Sequence, residues 1–75
     1  MRVHISLDLD KVPDQESRRH AIADIIDKAS LRDVNQKRAE RYGVITADVE
    51  PKMIDQIRGM DLVSACEVDS VQKAL

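Results

Sequence analysis

Arg2-Val3-His4-Ile5-Ser6-Leu7-Asp8-Leu9 alternates polar and apolar residues without a break, and that period of two narrows the possible folds more than any other feature of the chain. Successive side chains of a strand point to opposite sides, so Val3, Ile5, Leu7 and Leu9 make an apolar face, with His4, Ser6 and Asp8 opposite. Such a strand needs one face covered and the other left to water. The sequence predicts a sheet coated on one side.

The coating can be read further along the chain. Asp14 is placed to cap a helix whose apolar residues Ala21, Ile22, Ile25, Ile26 and Ala29 fall on one stripe, while Arg18, Arg19, Asp24, Asp27 and Lys28 solvate its outer side. Residues 33–39 are polar and carry Lys37 and Arg38, which suits a guarded edge strand. Residues 42–49, Tyr42 to Val49, are rich in β-branched side chains and read as the next strand. Pro51 opens a short second helix with Met53, Ile54 and Ile57 on its apolar side, and Gly59 ends it. Residues 63–68 read as a last strand and residues 70–75 as a C-terminal tail. The predicted order is that of an α+β, ferredoxin-like βαββαβ domain over residues 1–69, a four-stranded antiparallel sheet with two helices on one face. Its first and third strands are central, so Val3, Ile5, Leu7, Ile45, Ala47 and Val49 should meet the helices.

Seventy-five residues support one core. Hydrophobic residues make up 43% of the chain and Tyr42 is the single aromatic, so the core is aliphatic and stacking of bases is not to be expected. Charged residues are interspersed and sum to -2, which speaks against nucleic acid as a partner. One cysteine, Cys66, leaves neither a disulfide framework nor paired thiols for a metal. The amino terminus shows no apolar run of signal or membrane-spanning length, so the expectation for the chain as it stands is cytoplasmic, with no membrane partner.

Chemistry needs a converging set of groups. His4 falls on the first strand and His20 on the first helix, Cys66 has no base beside it in sequence, and the expectation is no enzyme, metal or cofactor. Glu67 and Asp69 are two apart on a strand and share one side of the sheet, either as a solvated strand end or as a recognition pair. Tyr42 and Val44 have the parity opposite to Ile45 and Ala47, which puts them on the open face, either as ordinary scattered apolar residues or as a contact patch for a protein partner.

Tyr42-Gly43-Val44-Ile45-Thr46-Ala47-Asp48-Val49-Glu50, a short helix, and then Val63-Ser64-Ala65-Cys66-Glu67-Val68-Asp69 resemble the subtilisin propeptide and proteinase inhibitor family. The likeness covers residues 42–69, while residues 1–31 share the layout. It implies that the open sheet face rests on two surface helices of a subtilisin-type serine protease, with Glu67 and Asp69 at those helices' amino ends. It also implies that Gln72, Lys73, Ala74 and Leu75 lie extended in the protease cleft, Leu75 in the primary specificity pocket. The protein would inhibit the protease or assist its folding. The alternative expectation is a ferredoxin-like regulatory or ligand-sensing domain that forms a homodimer, with Tyr42 and Val44 in its interface.

Overall fold

A computed structural model describes residues 1–69. Strand β1 (Arg2–Leu7) is followed by helix α1 (Gln15–Ala29), helix α2 (Gln36–Tyr42), strand β2 (Val44–Asp48), a 3₁₀ turn over Pro51–Met53 that runs into helix α3 (Ile54–Arg58), and strand β3 (Val63–Val68). The three strands form an antiparallel sheet in the order β2-β1-β3.

The alternation of β1 does what its period requires. Val3, Ile5 and Leu7 are buried, and they meet Ile45, Ala47 and Val49 from the β2 side and Val63 and Cys66 from β3. Ala21, Ile22, Ile25 and Ala29 of α1 and Ile54 and Ile57 of α3 close the same cluster. Burial of aliphatic surface at about 25 cal/mol per Å² is the main force holding these layers together. Leu9, expected on this face, is 45% exposed instead. The strand ends before it, because Asp8 starts a turn in which its carbonyl accepts from Lys11 and Val12 and its carboxylate from Asp10. Val12, beyond the turn, is buried and joins the core.

The local signals for α1 and α3 operate as read. Asp14 accepts from the Ser17 amide at 2.7 Å, and the Ser17 hydroxyl lies 3.4 Å from the Asp14 amide, a reciprocal cap. Ser30, in the left-handed conformation open to short polar residues, ends α1.

The four-stranded, two-helix ferredoxin-like expectation is corrected: among the described residues the sheet has three strands, and three helices accompany it. The difference lies in residues 33–39. Apart from Tyr42, α2 consists of strong helix formers with no β-branched residue. Asn35 caps it through the Arg38 amide at 3.1 Å, and Gly43, at φ 74°, stops it. Among the described residues, all that pairs on the outer side of β2 is a single bridge, Arg32 to Asp48, with bonds of 3.0 and 2.8 Å. Asp33 then turns the chain away at a φ of 58°. Consequently β1 alone is central, and β2 is an edge strand rather than a central one.

One irregularity matters for parity. The pairing of β1 with β3 shifts between Ser6, opposite Ala65, and Leu7, opposite Val63, which leaves Ser64 as an extra residue. That bulge allows Val63 and Cys66, three positions apart, both to face the core.

Candidate functional site

Among the described residues, none covers the sheet face away from α1 and α3. Its registers place three rows across the strands: Val44, Ser6 and Ala65; Thr46, His4 and Glu67; and Asp48, Arg2 and Asp69. The first row is the least polar, and the third carries the most charge.

His4 sits at the middle of this face. Its Nδ1 lies 3.0 Å from the Thr46 hydroxyl, and its Nε2 lies 3.6 Å from the Asp69 carboxylate. Arg2 donates to Asp33 at 3.0 Å and to Asp48 at 3.3 Å, so one guanidinium ties the β2 edge to the turn before α2. Glu67 is exposed and stands directly across from His4. The two acids thus share the open face, and Asp69 leans inward to the histidine.

Val44 is 37% exposed on that face. Tyr42 is not on the strand at all: it is the last residue of α2, 59% exposed, and meets solvent beside the sheet rather than on it. A period-two reading extends β2 across Gly43, but the left-handed turn there breaks the alternation. Gln72, Lys73, Ala74 and Leu75 lie outside the described residues.

Cys66 faces the core, and burial pushes its thiol up from the ordinary value, with Arg58 opposing the shift weakly. A thiol so placed is held protonated and is a packing group. His20 is exposed on α1, with its Nε2 4.0 Å from the Glu16 carboxylate. Among the described residues, no three of His, Cys, Asp and Glu are grouped to hold a metal ion, and no helix is long and apolar enough to cross a membrane.

Shallow hollows flank the face on the β2 side. One, of about 330 Å³, is lined by Arg2, His4, Asn35, Arg38, Val44 and Thr46. Another, of about 360 Å³, is lined by Asn35, Lys37, Arg38, Arg41 and Tyr42. The basic residues of α2 drew no functional reading from sequence, since a strand would have divided Lys37 and Arg38 between two faces. As a helix, the segment gathers Lys37, Arg38 and Arg41 beside the sheet. The signal that could have found them is the helix-forming composition of residues 36–42 between an Asn cap and a Gly stop. The chain matches no protein-family profile, no curated protein and no solved structure.

Proposed function

We propose that the chain is a propeptide-like binding module that docks its uncovered sheet face on a subtilisin-type serine protease, and so inhibits the enzyme or assists its folding. The observation that carries this reading is the bare face itself, with Glu67 and Asp69 together at its β3 side. Carboxylates held on a strand suit the positive amino ends of surface helices, where unsatisfied amides collect. In the proposed mechanism the sheet docks outside the active site, and Gln72 to Leu75 enter the cleft at the high effective concentration that tethering provides. The module performs no chemistry of its own.

An inhibition titration against a bacterial subtilisin tests it. Tight, stoichiometric inhibition is expected, and a chain ending at Asp69 should lose it while keeping its circular dichroism. Glu67→Gln should weaken inhibition by about two- to thirty-fold, the range of a charge at a helix terminus. Absence of inhibition at any ratio would overturn the proposal.

A homodimeric regulatory module is the second reading, favoured by one feature. β3 is an edge strand of six residues with Val68 40% exposed on it. A concentration-independent dimer by light scattering, combined with no effect on the protease, would favour it.

A further inference from the structure

The cations of this chain are not evenly partnered. Among the described residues, every lysine and arginine outside residues 32–41 holds a carboxylate or a main-chain carbonyl. Arg32, Lys37, Arg38 and Arg41 hold neither through their side chains, and all four are exposed. The one acid of α2, Glu40, is turned to α1, where Arg19 and Gln15 hold it and its side chain is 12% exposed. The outer side of α2 is therefore a bare basic surface on a protein whose net charge is -2.

The adjoining strand edge is bare as well. Leu7 donates to the Gly43 carbonyl and Val49 to that of Met1, so the odd-numbered residues of β2 bond to β1. The main-chain groups of Val44, Thr46 and Asp48 turn the other way. Arg32 takes both of those of Asp48, and no described residue takes those of Val44 or Thr46. Both residues line the hollow that Arg38, Arg2 and His4 share.

We infer that this corner is a binding site for an extended acidic peptide, which adds main-chain hydrogen bonds at Val44 and Thr46 and sets its carboxylates against Arg38, Arg41 and Lys37. The spacings agree: alternate side chains of an extended peptide are about 6.5–7 Å apart, and helix positions three or four apart lie about 5–6 Å from each other. A nucleic acid fits less well. It has no peptide groups to pair with a strand edge, it would find one aromatic residue to stack on, and Glu67 and Asp69 across the same face would repel a long polyanion. The site is independent of the protease reading, and its test contains no protease.

The full chain is titrated with a blocked hexaglutamate peptide in low salt, where exposed charges are little screened. Emission of Tyr42, the single aromatic, reports from inside the site, and amide NMR spectra report from the whole chain. Saturable binding with shifts confined to residues 32–46 is expected. K37Q/R38Q/R41Q should weaken it by about ten-fold, the sum of three exposed ion pairs. Methylation of alternate peptide nitrogens should weaken it further, because it removes the main-chain donors. Should the triple variant fold poorly, Arg38→Glu alone is read in its place. Shifts spread over Lys11, Lys28 and Lys52, equal binding of the methylated peptide, equal binding by the variant, or equally tight binding of an oligothymidylate with six phosphates would each overturn the inference.

Discussion

Gly43 and Asp14 show how single residues set the local geometry on which the rest depends. At Gly43 the backbone has φ 74°, and a Cβ there would come within 2.5 Å of Leu9 Cδ2. Leu9 is half-exposed and can swing away, so the backbone decides the cost. Gly43→Ala should destabilise the fold by about 1–2 kcal/mol, the penalty of a left-handed residue with a side chain, seen as a lower urea midpoint. Asp14 is held below the ordinary carboxyl value chiefly by the Ser17 amide and then by the Ser17 hydroxyl. Its folded pKa is thus depressed, so its stabilisation is complete above the unfolded value of 3.8 and is lost as pH falls through the folded one. Asp14→Ala should lower Tm at neutral pH and bring it closer to the parent's Tm in acid. Equal Tm deficits at neutral and acid pH would refute that account. Cys66 runs the opposite way. Its raised thiol pKa leaves its contribution whole below the unfolded value of 9.0, and the contribution fades as pH rises beyond it.

At the scale of elements, the two edges of the sheet are guarded differently. On β3, Asp69 donates to the Arg2 carbonyl, so the alternate residues Val68 and Cys66 present their main-chain groups outward. Arg58 of α3 covers one of these by donating from Nε to the Cys66 carbonyl at 3.2 Å. A cation across a strand edge discourages further pairing. Arg58→Ala should therefore promote self-association through β3, seen as a larger, concentration-dependent species in sedimentation velocity. A sedimentation profile unchanged from the parent's would show that the edge needs no such guard. On β2 the guard is α2 together with the Arg32 bridge, and it stops short of Val44 and Thr46.

For the whole molecule the margin is small. A chain of 75 residues is worth about 4–11 kcal/mol by the usual scaling. Ile5 is fully buried at the centre of the central strand, and Ile5→Ala should remove about 2–5 kcal/mol through lost burial and an unfilled cavity. Thermal unfolding should then begin near room temperature, and a partner that binds only the folded chain should restore the transition in proportion to its concentration. A variant with the parent's melting curve would mean that the sheet can collapse around the missing side chain.

Residues that act on near neighbours were readable from the chain alone. The period of β1 and the parities of Val44, Glu67 and Asp69 follow from how side chains alternate, and the Asp14 cap and the Pro51 start follow from bonds that span a single turn. The tertiary structure decided the rest. Whether residues 36–42 paired as strand or coiled as helix depended on whether β2 offered an edge worth more than their helix preference, and among the described residues Arg32 alone takes that edge. The Ser64 bulge, which lets both Val63 and Cys66 reach the core, arises from a match between strands nearly sixty residues apart. The meeting of Arg38 with Val44 and Thr46 likewise exists only once helix and sheet have packed, because no local rule brings those side chains to one hollow.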